Sequence, residues 1–109
     1  LNLNHPDLAV SYSNIGSIHF NKKDFAAALE YYHKALQIRQ EVLEDLHPHL
    51  AASYNKLGML YSCIEDYAQA ETFYLKALHI QEAVLDAKHP ELALSYDNLG
   101  TLYLLKEDY

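Results

Sequence analysis

The stretch HPDLAVSYSNIG at residues 5–16 returns as HPHLAASYNKLG at residues 47–58 and as HPELALSYDNLG at residues 89–100. The three copies stand 42 residues apart. Repetition at a period of about 20 to 50 residues is typical of arrays in which one supersecondary unit packs against the next. Because such an array presents an extended surface and encloses no pocket, the period predicts a binding or structural protein and argues against an enzyme.

Charge and cysteine content restrict the function further. Fifteen acidic and eight basic residues give the 109-residue chain a net charge of −7. This charge repels phosphate backbones, so we expect no nucleic-acid partner. No apolar run approaches the roughly 18 residues of a membrane span, and we expect no membrane partner. Cys63 is the only cysteine, and the N-terminus does not read as a secretion signal, so we expect a cytoplasmic protein.

Each repeated stretch predicts the start of a helix. Proline suits the first helical position because its missing N–H is not needed there, and the apolar residues that follow have helical spacing. This pattern predicts a first helix over about residues 7–21 and equivalents in the next two copies. A polar break follows each of them and places Asp24, Asp66 or Asp108 as the N-cap of a second helix.

A long apolar stripe marks each second helix and is predicted to bury its last residues, namely Arg39, Val42 and Leu43 in the first copy and Val84 and Leu85 in the second. Gly16, Gly58 and Gly100 stand where two helix axes can approach closely, with aromatic rings filling the remaining space. No segment alternates between polar and apolar residues as a strand does, so the predicted fold class is all-α.

The residues at these positions also follow a known pattern. Its members are Tyr12, Ile15, Gly16, His19, Phe25, Ala28, Tyr32 and Ala35 in the first copy, and Tyr54, Leu57, Gly58, Tyr61, Tyr67, Ala70, Tyr74 and Ala77 in the second. Their order resembles the tetratricopeptide repeat, whose usual period is about 34 residues. The resemblance implies an α-solenoid of antiparallel helix pairs stacked in a right-handed superhelix. The longer form with its His-Pro opening is similar to the repeats of kinesin light chains.

The period divides the chain into parts of one array. Residues 1–109 are predicted to form a single array in which residues 1–4 end a preceding helix, 5–46 form the first repeat, 47–88 the second and 89–109 the first half of a third. A solenoid end without a polar cap tends to self-associate. We therefore expect a homo-oligomer that forms through the uncapped ends.

The resemblance further implies a binding surface, because the first helices of such arrays line a concave groove. The groove residues that we single out are Ser13, Asn14, Ser17, Phe20, Asn21, Asn55, Lys56, Met59, Asp97, Asn98 and Thr101. Asparagine amides both donate and accept hydrogen bonds and can pair with an extended peptide backbone, and similar asparagines in kinesin light chain repeats hold peptides. Because Lys56 is the only base on this face, we expect a neutral or mildly basic peptide of a partner protein with an apolar anchor.

A structural spacer or self-assembly module, in which the groove stays empty, remains the alternative function. Seven histidines raise the possibility of a metal site. However, His5, His47 and His89 occupy one position in successive copies and are expected to stand about 8–10 Å or more apart. That spacing is too large for one ion with Zn–N bonds of about 2.0–2.1 Å. No phosphate-binding loop or catalytic constellation is present, so we expect no cofactor and no enzymatic activity.

Overall fold

The computed structural model describes residues 6–107, and within this range the chain forms five α-helices joined by short turns. They are α1 (Pro6–Asn21), α2 (Phe25–Val42), α3 (Pro48–Cys63), α4 (Tyr67–Val84) and α5 (Pro90–Glu107). The predicted all-α fold is confirmed. The helix end predicted over residues 1–4 and the cap predicted at Asp108 lie outside the described residues.

The histidines of the second and third His-Pro pairs have a local structural role. His47 adopts an extended conformation (φ −72°, ψ 135°), which the following proline favours. Its Nδ1 accepts the backbone N–H of His49 at 3.0 Å, and His89 Nδ1 accepts that of Glu91 at 3.2 Å. An imidazole therefore replaces the usual Ser, Thr or Asp as the N-cap of these helices.

A tight turn reverses the chain within each pair of helices. Lys23 and Glu65 hold equivalent places in the two turns with positive φ values of 63° and 65°, the backbone form that often closes a helix C-terminus. Asp24 and Asp66 follow, and each accepts at Oδ1 the N–H of the residue three positions later at 3.3 Å. Both predicted N-caps are confirmed. Because the turn is short, α1 and α2 pack side by side, as do α3 and α4.

Within each pair, a glycine of the first helix contacts a tyrosine ring of the second. A Cβ placed on Gly16 would lie 2.6 Å from the Tyr32 ring, and one on Gly58 would lie 2.6 Å from the Tyr74 ring. Both rings are buried. The predicted close approach is thus found in the first two copies, whereas a Cβ on Gly100 would have no neighbour within 4 Å.

The core crosses the boundary between the repeats, because α3 packs against both α2 and α4. A single apolar cluster takes residues from these three helices, namely Ala28, Tyr32, Leu36, Leu50, Ala51, Leu57, Leu60, Ala77 and Ile80. The described chain measures 47 × 34 × 19 Å. The contact of α3 with α5 places these two first helices next to each other.

The predicted burial of Val42 and Val84 is wrong, since both side chains are exposed. Each valine ends its helix, and the next residue turns into extended backbone. That turn directs the side chains of Leu43 and Leu85 onto the core. The predicted stripe is therefore confirmed at Leu43 and Leu85 and wrong at the valine before each of them.

Candidate functional site

The first helices of the second and third repeats bound a cleft. α3 and α5 lie close together, and the space between them has a volume of about 370 Å³. The lining comprises Pro48, His49, Ala52 and Asn55 of α3, Gln81 of α4, and Glu91 and Leu94 of α5. Leu94 is 60% exposed and supplies apolar surface next to these polar groups.

Asn55 is the predicted groove residue that lines this cleft. The residue is half-buried, and its Oδ1 is shielded from solvent and accepts no hydrogen bond from residues 6–107. A shielded acceptor without a donor destabilises a fold by about 1–3 kcal/mol. The Oδ1 of Asn55 therefore lacks a donor among residues 6–107, and a donor that enters the cleft reaches it only when the side chain turns outward.

Two further predicted residues, Ser17 and Lys56, connect α1 to α3. Lys56 Nζ donates to Ser17 Oγ at 3.3 Å, and Ser17 Oγ lies 3.0 Å from the hydroxyl of Tyr32. The ammonium group also stands 5.8 Å from the centre of the Tyr32 ring. Lys56 is consequently held over the junction of the first two repeats and is half-buried there.

The other predicted groove residues differ in exposure. Asn14, Asn21, Met59, Asp97 and Thr101 are exposed, and Asn98 is half-buried. Ser13 is only 5% exposed and belongs to the packed interior. Phe20 packs against the core, with its ring centre 5.7 Å from that of Phe25. Ser13 and Phe20 thus contribute to packing, a role that the sequence did not indicate for them.

Arg39 and Gln81 were not among the predicted groove residues, because both belong to second helices. Arg39 is 7% exposed, and its Nη1 donates to Ser53 Oγ at 2.6 Å and to the carbonyl of His49 at 3.3 Å. Gln81 is similarly buried, and its Oε1 accepts a hydrogen bond from the hydroxyl of Ser95. One sequence signal could have found them: each is a polar residue on an otherwise apolar stripe and stands 14 residues before a serine.

Arg39 raises the electrostatic potential around it. Burial lowers the pKa of Arg39 itself. Burial and, second, the charge of Arg39 lower the pKa of Lys56. The pKa of His49 is lowered mainly by burial, then by the charge of His47 and then by that of Arg39. The ion pairs within residues 6–107 involve other groups, and none includes Arg39 or Lys56.

The opposite face, built by the second helices, carries a repeated lysine over aromatic rings. Lys34 Nζ lies 5.6 Å from the Tyr12 ring centre, and Lys76 Nζ lies 5.6 Å from that of Tyr54. A cleft of about 380 Å³ next to Lys76 also contains Leu75. The contact recurs at the 42-residue spacing, which indicates a packing element of the repeat.

Metal binding and membrane insertion find no support in the described part of the chain. Residues 6–107 contain no cluster of three or more His, Cys, Asp or Glu side chains that could hold a metal ion. Nor does any helix within this range have the length and apolar character needed to cross a bilayer.

The chain matches the family model described as Tetratricopeptide repeat over residues 7–83 and 63–109. No curated protein sequence gives a significant match. Among solved structures, the crystal structure of BtubC (BKLC) from P. vanneervenii is similar with a TM-score of 0.90 and 26% identity, over 97% of this chain and 42% of that one.

Two crystal structures from Podosopora anserina, of a protein assigned as a kinesin light chain with nearly identical TPR-like repeats, are also similar. One, a point variant of that protein, has a TM-score of 0.88 over 95% of this chain and 49% of that one. The other has a TM-score of 0.79 over 99% and 51%. Both are 21% identical to this chain, which supports the fold alone. The chain spans about half or less of the length of all three structures.

Proposed function

Because the chain belongs to the tetratricopeptide repeat family, whose repeats generally mediate protein–protein interaction, we propose that it binds an extended peptide segment of a partner along α1, α3 and α5. The observation behind this proposal is the cleft between α3 and α5. It combines a shielded amide oxygen that accepts no hydrogen bond from residues 6–107 with exposed apolar surface beside it.

An extended peptide suits the chemistry of this cleft. Every residue of such a peptide except proline offers one backbone N–H and one C=O, and its side chains alternate between opposite faces. When the Asn55 side chain turns toward the cleft, one peptide N–H can donate to its Oδ1 and satisfy this acceptor. The exposed side chains of Leu94 and Met59 offer contact area for an apolar anchor of the peptide.

If the asparagines bind peptide, replacing them weakens peptide binding without lowering the stability of the fold. We expect replacement of Asn14, Asn55 and Asn98 by Ala to weaken binding by about tenfold or more, because hydrogen bonds to the peptide are lost. The free energy of unfolding is expected to stay constant or rise, since the change at Asn55 removes an unsatisfied buried acceptor. A residue that lowers stability while supporting binding is typical of a functional site.

The experiment uses peptides selected from a random display library, with affinities measured by fluorescence anisotropy. The matched control replaces Gln37 and Gln69, two exposed amides on second helices, and is expected to bind as the unmodified protein does. Unchanged affinity in the triple asparagine variant would exclude these amides as the peptide site.

The spacer alternative has support of its own in α5. On this helix Tyr96 and Tyr103 are 52% and 43% exposed, and Gly100 has no neighbour where the equivalent glycines contact a ring. A helix surface of this kind suits packing against a further helix. A library that yields no peptide, together with an oligomer size that grows with protein concentration, would favour a self-assembly module over a peptide-binding protein.

A further inference from the structure

The first and second helices of the repeats are capped by side chains of different chemistry. The second helices α2 and α4 follow Asp24 and Asp66, whose carboxylates accept a backbone N–H. In the first helices α3 and α5 this acceptor is an imidazole, that of His47 and that of His89. A carboxylate ordinarily stays ionised above about pH 5, whereas a histidine ordinarily changes charge between about pH 5 and pH 8. The imidazole caps are therefore the ones that mild acidification can reach.

Protonation at Nδ1 removes the cap itself. A neutral imidazole accepts a hydrogen bond at the ring nitrogen that has no proton, and an imidazolium has donors only. Nδ1 of His47 accepts the N–H of His49 at 3.0 Å, so a proton on this nitrogen sets two donors against each other. It also puts a positive charge at the N-terminus of α3, which the helix dipole opposes. The same argument applies to His89, whose Nδ1 accepts the N–H of Glu91 at 3.2 Å.

The backbone amides that these caps hold belong to residues of the cleft between α3 and α5. Because the proline at the start of each helix has no N–H, His49 and Glu91 carry the first backbone donors of α3 and α5. Both residues line the cleft. The lining extends along α3 only to Asn55 and along α5 only to Leu94, so the cleft lies against the N-terminal turns of both helices. Loss of the two caps therefore loosens the turns that bound the cleft on either side.

The other titratable and charged groups near the caps lie at the end of the preceding second helix, in the turn and at the start of the first helix. Those around His47 are Arg39, Glu41, Glu44, Asp45 and His49. Those around His89 are Glu82, Asp86, Lys88 and Glu91, with His49 on the other side of the cleft. Carboxylates, lysine and arginine ordinarily keep their charge between about pH 5.5 and pH 7.5. Burial above all lowers the pKa of His49, so this ring takes a proton only at a lower pH than an ordinary histidine.

We propose that mild acidification weakens peptide binding to the cleft between α3 and α5, because protonation of His47 and His89 releases the first turns of both helices. This inference rests on the proposed peptide-binding function and adds a regulation to it. While both rings are neutral, the caps hold and the cleft keeps its shape. Once the rings are protonated, the carboxylate caps still hold α2 and α4. Acid then frays the N-terminal turns of the helices that bind peptide and leaves the second helices formed.

Serine variants provide the matched comparison. Serine is a common N-cap and its hydroxyl does not titrate in this pH range. His47→Ser/His89→Ser, the serine variant, therefore keeps both caps and removes their response to pH. The control variant His79→Ser changes an exposed histidine inside α4. Circular dichroism and urea unfolding at neutral pH check that both variants fold.

The first measurement follows backbone amides by ¹H–¹⁵N NMR without peptide, from about pH 7.5 to about pH 5.5. We expect the amide protons of His49 and Glu91 to move upfield as their hydrogen bonds are lost. The amides bound to the two aspartate caps, those of Ala27 and Gln69, are expected to keep their positions. In the serine variant the amides of His49 and Glu91 are expected to move less. If these two amides of the unmodified protein move no further than those of Ala27 and Gln69, the proposal is wrong.

The second measurement is the affinity for a peptide selected from the random library. The peptide contains no His, Asp or Glu, so that its own charge stays constant. Between about pH 7.5 and about pH 5.5, we expect the affinity of the unmodified protein to fall roughly fivefold, the equivalent of one lost cap. The affinity of the serine variant is expected to fall by less than about twofold, because its caps remain. The control variant at His79 is expected to respond to pH as the unmodified protein does.

The outcomes separate this regulation from the function on which it rests. A peptide affinity that stays constant with pH would overturn the regulation and leave the peptide groove standing. An equal fall of affinity in the unmodified protein and the serine variant would also overturn it. A library that yields no binding peptide at all would overturn the peptide groove and the regulation together.

Discussion

The three equivalent glycines predict opposite effects of one substitution. Gly58 and Gly100 both lie inside helices, at the same position of successive repeats. An alanine Cβ at Gly58 would stand 2.6 Å from Cδ1 and 2.8 Å from Cε1 of Tyr74, whereas one at Gly100 would have no neighbour within 4 Å. We expect Gly58→Ala to destabilise the protein and Gly100→Ala to stabilise it.

The magnitude follows from two opposing terms. In a helix interior, alanine is favoured over glycine by about 0.8–1 kcal/mol. Carbon atoms in contact stay about 3.5–4.0 Å apart, so the Tyr74 ring would have to move by about 1 Å. The ring is only 6% exposed, and overpacking of this kind costs about 1–3 kcal/mol. The net effect at Gly58 is a loss of up to about 2 kcal/mol, while at Gly100 the whole gain of about 0.8–1 kcal/mol remains.

Urea unfolding followed by circular dichroism measures both effects. With a urea dependence of about 1–3 kcal/mol per M, the midpoint is expected to fall by up to about 2 M for Gly58→Ala and to rise by about 0.3–1 M for Gly100→Ala. Gly16→Ala serves as a second copy of the first case, because its Cβ would stand 2.6 Å from Tyr32. Equal shifts of the same sign at Gly58 and Gly100 would refute the argument that the ring contact decides the outcome.

Two further predictions concern pH and self-association. Burial lowers the pKa of His33 below its ordinary value of 6.5, and its Nε2 lies 3.0 Å from the Tyr61 hydroxyl. The unfolded chain therefore binds the proton more readily, so the His33 contribution to stability is complete above about pH 6.5 and is lost as the pH falls through the folded pKa. His33→Leu, which introduces the residue found at the equivalent Leu75, is expected to reduce the difference between urea midpoints measured at about pH 7.5 and about pH 5.5, and an unchanged difference would contradict this. Gly100→Lys places a charge on the open face of α5 and is expected to abolish any rise of sedimentation mass with concentration; a rise equal to that of the unmodified protein would exclude this face as the contact.

Much of the fold could be predicted from the sequence, because the repeat is visible along the chain and the ends of helices depend on neighbouring residues. Helix starts at proline and the caps at Asp24 and Asp66 depend on neighbouring backbone atoms, and both were predicted correctly. Val42 and Val84 were predicted incorrectly, because the helical period was extended to the residue at which each helix ends. The side chain after each valine takes the core position.

The candidate site was less accessible, since it depends on which side chains meet across helices. Asn55, Ser17 and Lys56 could be placed on the first-helix face by their register alone. Two facts depend on packing: the shielded Asn55 oxygen accepts no hydrogen bond from residues 6–107, and Lys56 donates to Ser17, 39 residues earlier. Arg39 was predicted to be buried, but no local pattern indicates that its charge acts on Lys56.

The sequence by itself determined the repeat, the helical class and the family, because these follow from residue spacing along the chain. Only the tertiary structure decided which side chains meet. Tyr74 packs against Gly58, and Arg39 of the first repeat donates to Ser53 and to the carbonyl of His49 in the second. The physical reason is that burial and electrostatic attraction depend on distances between atoms of different helices, and those distances exist only once the helices have packed.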